Sequence, residues 1–128
     1  MDQEPIVLDL EHVQAIHARS LIEHGGADGI RNAGGLKAAV TQARNVYYYL
    51  GGDLFELAAA YAFHIAEAQA YLDGNKRTAV ATALIFLEAN EIGTTDNDPM
   101  ALYQPMIDVA KGSLDREGLA EVMRKLFA

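Results

Sequence analysis

Two segments whose apolar residues surround most of a helix, residues 54–70 and 75–90, constrain the fold of this chain more than any other feature. A helix that is apolar on nearly every side is stable only when other elements cover it. The first segment is rich in alanine, which allows neighbouring helices to approach closely. Only a short polar turn, residues 71–74, separates the two. The pattern predicts a mainly α fold built around two adjacent central helices.

The N-terminal part of the chain predicts two further helices with a glycine-rich loop between them. Apolar spacing favours a helix over 10–24, with Asp9 as its N-cap and a pair of glycines that end it. Residues 25–35 contain five glycines and predict a series of turns, and 35–44 predict a short helix. We interpret the histidines of the first helix as structural, because no third metal ligand lies near them.

Residues 47–50, with the sequence Tyr-Tyr-Tyr-Leu, precede the first central segment. Three successive tyrosines cannot all be buried in one helix, so this stretch predicts a short β strand or flap, or a packed turn. Asp53 followed by Glu56 has the spacing of a capping box, with Asp in place of Ser or Thr. The first central helix is therefore expected to begin directly after Asp53.

Prolines organise the C-terminal part of the chain. Asp98 followed by Pro99 predicts a helix start, with Asp as N-cap and Pro in the first turn. Pro105 predicts a break or kink within 99–111. Ser113 is expected to cap a last helix with an apolar stripe.

Composition limits the class of protein. A chain of 128 residues without repeats or an internal linker is expected to form a single domain, residues 1–128. The net charge of −8 argues against direct binding to nucleic acid, because such proteins carry a basic face. Cysteine is absent, which excludes disulfides and thiolate chemistry. No apolar run could span a membrane, and no leader peptide is evident, so we expect a cytoplasmic protein.

The turn between the central helices concentrates charge in a few residues. A helix that begins near Asn75 points its unpaired N–H groups and the positive end of its dipole at this turn, which favours a bound anion. Lys76 and Arg77 add full positive charge, and Asp73 is the acid that would hold a metal ion beside bound phosphate. The turn predicts a magnesium–phosphate site. The alternative is an ordinary helix start whose charges face water.

Residues 64–79, His-Ile-Ala-Glu-Ala-Gln-Ala-Tyr-Leu-Asp-Gly-Asn-Lys-Arg-Thr-Ala, resemble the core motif of the Fic/Doc (Fido) superfamily. That motif has the form His-x-Phe-x-Asp-(Gly or Ala)-Asn-Lys-Arg-Thr. The similarity is greatest to the Doc branch, the death-on-curing toxins of toxin–antitoxin pairs. The glycine turn at 25–29 and the stretch 53–57 are also similar to Doc proteins, so the resemblance covers nearly the whole chain.

The resemblance implies a Fido-type bundle of six or seven helices and transfer of part of a nucleotide triphosphate to a hydroxyl of a target protein. Typical Fic enzymes transfer the nucleotidyl group and have glycine where this chain has Lys76. The Doc branch has lysine there and acts as a kinase of elongation factor Tu, a translation factor. Its antitoxin partner supplies a disordered tail that folds onto the toxin. The implied cofactor is Mg²⁺, and the implied substrate is ATP or another nucleotide triphosphate.

The resemblance implies a role for each residue that occupies a matching position of the motif. Asp73 would bind the metal ion, and Gly74 and Asn75 would shape the phosphate-binding turn. Lys76 and Arg77 would hold phosphates.

The departure from the motif lies at Gln69, which occupies the position of the motif histidine, the family's general base. Glutamine can orient a hydroxyl but cannot take its proton, and loss of a general base lowers a rate by roughly 10²–10⁴-fold. His64 is a poor substitute, because five residues rotate it about 140° around the helix. Three hypotheses remain: an altered or impaired transferase, a Fido domain that binds nucleotide or an antitoxin without chemistry, and an unrelated helical scaffold.

Overall fold

The computed structural model describes residues 4–98 and 100–128. This part of the chain contains six helices and no sheet, which confirms the mainly α prediction. They are α1 Leu10–His24, α2 Ala33–Tyr48, α3 Leu54–Ala68, α4 Asn75–Ala89, α5 Tyr103–Ala110 and α6 Arg116–Phe127. Among the described residues, no helix combines the length and the apolar composition needed to cross a bilayer.

Helix α3 lies at the centre of the bundle and packs against α2, α4, α5 and α6. Residues 57–62 are six successive buried positions, so this stretch has no solvent face. Four of the six are alanines, whose small side chains let the neighbouring helices approach. Helix α1 packs against α4 and α2 from the side. The prediction of two adjacent inner helices agrees with this arrangement.

Capping explains where two of the helices begin. Asp9 accepts a hydrogen bond from the His12 backbone, and the His12 ring accepts one from the Asp9 N–H, which completes a capping box at the start of α1. Asp53 and Glu56 form the predicted capping box at the start of α3. Helix α1 ends at Gly25, whose φ of +76° suits glycine.

Helix α2 differs from the prediction. It begins after the Asn32 cap and continues to Tyr48, where we expected a helix over 35–44 only. The alternative of a strand or flap at 47–50 is wrong, because the first two of these residues are helical and the next two form a turn. The tyrosines are accommodated by exposure: Tyr48 is 51% and Tyr49 80% exposed. The first two tyrosines are therefore helical and the third is the C-cap of α2, and none of the three is fully buried.

The predicted helix start at Pro99 lies partly outside the described residues. Asp98 caps a turn, accepting a hydrogen bond from the Met100 N–H at 2.9 Å, and α5 itself begins at Tyr103. Pro105 lies in the first turn of α5, where an N–H would have no partner within the helix. The described part of 99–111 is interrupted as predicted, but the interruption is the turn at residues 100–102, and Pro105 itself lies inside α5.

The last helix has a different cap from the one predicted. Asp115 accepts a hydrogen bond from the Gly118 N–H at 2.7 Å and caps α6. Ser113 instead donates its hydroxyl to the Asp108 carbonyl at 3.1 Å. Asp115 therefore caps α6, and the prediction that Ser113 caps it is wrong.

Tyr61 ties the N-terminal segment to the core, and its removal should destabilise the fold. Its buried hydroxyl donates to the Leu8 carbonyl at 2.7 Å and accepts from the Leu8 N–H at 2.9 Å. In Tyr61→Phe both backbone groups lose this partner, so we expect a loss of about 1–3 kcal/mol in the free energy of unfolding. Urea denaturation measures it, with the exposed Tyr49→Phe as control. Equal effects of the two substitutions would contradict this assignment.

Candidate functional site

Gln69 is the C-cap of α3 and lies two residues before the polar turn, residues 71–74. Gln69 has φ 44° and ψ 45°, the left-handed conformation, and its side chain is exposed. This conformation is uncommon for a residue other than glycine and raises its energy by roughly 1–2 kcal/mol. Helix α3 therefore ends at Ala68, with Gln69 as its C-cap, slightly before the predicted end at Ala70.

The segment after Gln69 is paired with the glycine-rich loop that follows α1. Ala70 accepts hydrogen bonds from the N–H groups of Arg31 and Asn32 at 2.6 and 3.0 Å, and Leu72 donates to the Gly29 carbonyl at 3.0 Å. These bonds create one antiparallel bridge, between Ile30 and Tyr71. The glycine-rich loop therefore supports the turn directly, where sequence reasoning predicted only turn geometry for it.

Asn75 closes the turn between α3 and α4. Its side-chain oxygen accepts from the Tyr71 N–H at 3.0 Å, and its amide nitrogen donates to the Tyr71 carbonyl at 2.9 Å. An aspartate could not make the second bond, which explains the amide at this position. Gly74 precedes it with φ +82°, and a Cβ there would lie 3.5 Å from the His17 ring. The structure thus gives Gly74 and Asn75 turn-forming contacts, and their role toward phosphate stays a prediction.

Asp73 is exposed but held at two points. Its side-chain Oδ2 accepts a hydrogen bond from the Ala27 N–H at 2.8 Å. Its backbone carbonyl lies 2.8 Å from His17 Nε2. The carboxylate therefore has one anchored oxygen, and the other, Oδ1, has no hydrogen-bond partner among the described residues.

The start of α4 has the features of an anion site. No side chain among the described residues caps this helix: its N-cap is Gly74, which has no side chain, and the Asp73 carboxylate accepts from Ala27 instead. Its first N–H groups are thus left for a ligand or water. Lys76 and Arg77 lie in this first turn, are exposed and make no ion pair with the described residues. The structure brings the predicted cations and Asp73 to one exposed helix end.

A buried ring pair lies beneath the turn. Tyr71, which replaces the motif's apolar residue, stacks on His17 with ring centroids 3.5 Å apart and planes within 7°. Burial raises the pKa of Tyr71 to about 12. Its hydroxyl is buried with no hydrogen-bond partner among the described residues. This stacking of His17 on Tyr71 was not predicted from the sequence. The position of His17 on the buried face of α1 was a signal that its ring has a partner in the core.

His64 lies away from the turn. Its Nε2 accepts a hydrogen bond from Arg116 at 3.1 Å, and it lines a depression of about 320 Å³ with residues of α2 and α6. Burial, and then the charge of Arg116, lower the pKa of His64. Both effects favour the neutral ring that the hydrogen bond requires. This agrees with the expectation that His64 is a poor substitute for the motif histidine.

Arg31 belongs to the glycine-rich loop and contacts the polar turn. Arg31 is exposed and donates to the Tyr71 carbonyl at 3.3 Å, so it supports the turn. A second depression, of about 310 Å³, lies between α1 and α2. Residues of the polar turn line neither of these two depressions. No group of three or more His, Cys, Asp or Glu side chains able to hold a metal occurs within residues 4–98 and 100–128.

Comparison with known proteins identifies the class to which this fold and turn belong. The model of the Fic/DOC family matches residues 7–87, which include α1 to α3, the polar turn and most of α4. The chain belongs to the Fic/DOC family.

One relative indicates the branch of the family to which the chain is similar. The chain is similar to "Protein kinase doc" of Escherichia phage P1, with 31% identity over 119 residues. The match covers 91% of this chain and 92% of the phage protein. The similarity therefore extends well beyond the polar turn and supports the Doc branch.

His64 should make stability depend on pH. Its pKa is lowered on folding, so its contribution is fully present above the ordinary pKa of about 6.5 and is lost as pH falls through the folded value. We expect the free energy of unfolding to decrease below about pH 6.5, and to decrease less in His64→Gln. Urea denaturation across that pH range measures the difference. Identical pH profiles for the two proteins would exclude this role.

Proposed function

We propose that this protein is a Doc-like toxin that transfers the γ-phosphoryl group of ATP to a hydroxyl of a target protein. One observation carries the proposal: in a member of the Fic/DOC family, Asp73, Lys76 and Arg77 lie together at the exposed, uncapped start of α4. The similarity to a protein named as a kinase favours phosphoryl over nucleotidyl transfer. Lys76 also favours phosphoryl transfer, because typical Fic enzymes, which transfer nucleotidyl groups, have glycine at this position.

Asp73 has the chemistry expected of a magnesium ligand. Mg²⁺ is commonly held by one or two carboxylates, with substrate phosphates and waters completing its shell. Asp73 alone is compatible with this, because its Oδ1 is available and its Oδ2 is anchored by Ala27. Bound there, Mg²⁺ would neutralise phosphate charge as transfer proceeds.

The first turn of α4 supplies the phosphate contacts. Backbone N–H groups at a helix start bind phosphate oxygens, and Lys76 and Arg77 add charge that is not neutralised by other described residues. In the proposed reaction, the bond from the γ-phosphorus to its bridging oxygen breaks and a bond to the acceptor oxygen forms. ADP and the hydroxyl proton are released. Such transfers depend mainly on positioning and charge stabilisation, which these residues provide.

The acceptor side of the site contains Gln69. Its exposed amide, at the end of α3, is suited to orient a hydroxyl by hydrogen bonding but not to remove its proton. We therefore propose an activity that is reduced relative to relatives with histidine. The proposed target is a translation factor such as elongation factor Tu, and the proposed regulator is an antitoxin protein.

A second function is supported by the same residue. Without a base at position 69, the phosphate-binding turn could serve binding alone. A catalytically inactive domain that binds nucleotide or an antitoxin would then keep Lys76 and Arg77 while having lost histidine.

Charge removal at the turn tests nucleotide binding. We expect Lys76→Ala and Arg77→Ala each to weaken ATP affinity by about 10-fold or more, since each removes a charge-assisted contact of about 1.5–3 kcal/mol. Isothermal titration with ATP and MgCl₂ measures the change. Lys125→Ala, which removes an exposed cation from α6, is the matched control. Binding that is equal in all four proteins would argue for an incidental helix end.

Restoration of the motif tests catalysis. In Gln69→His we expect the transfer of labelled phosphate from ATP to elongation factor Tu to rise by roughly 10²–10⁴-fold. Histidine tolerates the left-handed backbone at this position better than most residues. Gln69→Gly keeps that backbone without an imidazole and should give no gain. If Gln69→His binds ATP but transfers no label, the inactive binding domain is favoured.

A further inference from the structure

We propose that His17 is a positioning residue that orients Asp73 for its metal ion, and that α1 serves as the platform for the metal ligand. This inference rests on the proposed function. His17 is buried in α1, whereas the polar turn lies between α3 and α4. In this role His17 would act through Asp73 and would not contact the nucleotide.

The contact between His17 and Asp73 has a defined direction. The Asp73 carbonyl can only accept a hydrogen bond, so the His17 Nε2 at 2.8 Å must carry the proton. The ring cannot turn away from this partner, because it is 4% exposed and stacks on Tyr71 at 3.5 Å. Gly74 closes the other side, since a Cβ there would lie 3.5 Å from the ring. His17 therefore sets the backbone position of Asp73.

The turn that follows α1 sets the side chain of the same residue. Ala27 donates its N–H to Asp73 Oδ2 at 2.8 Å. Gly26 permits this approach with a φ of +120°, and a Cβ there would lie 3.2 Å from both Asp73 Cβ and a Leu21 methyl. One helix and its C-terminal turn thus hold the carbonyl and the carboxylate of Asp73, and Oδ1 is left without a hydrogen-bond partner among the described residues.

Such supporting contacts have a measurable effect on metal sites. Loss of a hydrogen bond that orients a metal ligand lowers metal affinity by about 10–100-fold in other proteins. The side chain of His17 can be replaced in two informative ways. Leucine keeps an apolar body and removes the donor, whereas glutamine places an N–H at a similar distance from the backbone and loses the ring stack.

The experiment measures how much Mg²⁺ strengthens ATP binding. Titration calorimetry with ATP is carried out in MgCl₂ and in EDTA on wild type, His17→Leu, His17→Gln and His24→Leu. His24 is an exposed histidine on the same helix and serves as the matched control. We expect the Mg²⁺-dependent gain to fall by about 10–100-fold in His17→Leu, and to be largely kept in His17→Gln and His24→Leu. Affinity in EDTA should be similar in all four.

A second measurement separates positioning from stability. Amide hydrogen exchange at Ala27 should be faster in His17→Leu than in His17→Gln, because Asp73 is less firmly held. If His17 is merely structural, the Mg²⁺-dependent gain will instead follow the unfolding midpoints of the variants, whatever donor is present.

The outcomes distinguish this inference from the proposed function. A wild-type protein that gains no ATP affinity from Mg²⁺ overturns both. An unchanged gain in His17→Leu, or an equal loss in His17→Gln and His17→Leu, overturns the positioning role and leaves the phosphate site in place.

Discussion

The hydrogen bonds between the glycine-rich loop and the turn after α3 are the contacts on which the site depends. Ala70, Leu72 and Asp73 are each bonded to residues 27–32, which lie about 40 positions earlier in the chain. They fix a segment that would otherwise be an exposed loop with few restraints. Because the partners are mostly backbone groups, the geometry depends on where α1 ends and α2 begins more than on side-chain identity.

Much of the helical framework follows from local chemistry. Asp9, Asp53 and the all-round apolar segments determine their helices through caps and burial, and these predictions are confirmed. The sequence also indicates the polar turn as a candidate site, because opposite charges clustered at a helix start favour a bound anion and a metal ion. The Fic/DOC family model covers this turn within residues 7–87, whereas the roles of its residues toward metal and phosphate stay predictions.

The errors share a cause, which is that tertiary context decides between local alternatives. Tyr48 is helical because it can remain half exposed, and Pro105 is tolerated because α5 begins only two residues before it. The contact of His17 with Asp73 joins residues 56 positions apart, and no periodic pattern encodes such a pair. The sequence therefore predicts the candidate site residues, whose roles stay predictions, but it does not predict the contacts that hold them in place.

The buried stretch of α3 limits how this protein can change during evolution. A larger side chain anywhere in residues 57–62 would push apart helices that pack on several sides, and overpacking of this kind destabilises a core by about 1–3 kcal/mol. Variation is tolerated more easily at the exposed ends of the helix, and Gln69 lies at one of them. A lineage can therefore exchange the residue at the position of the motif histidine without disturbing the packed core, so that sequence change at this position and conservation of the fold are separable.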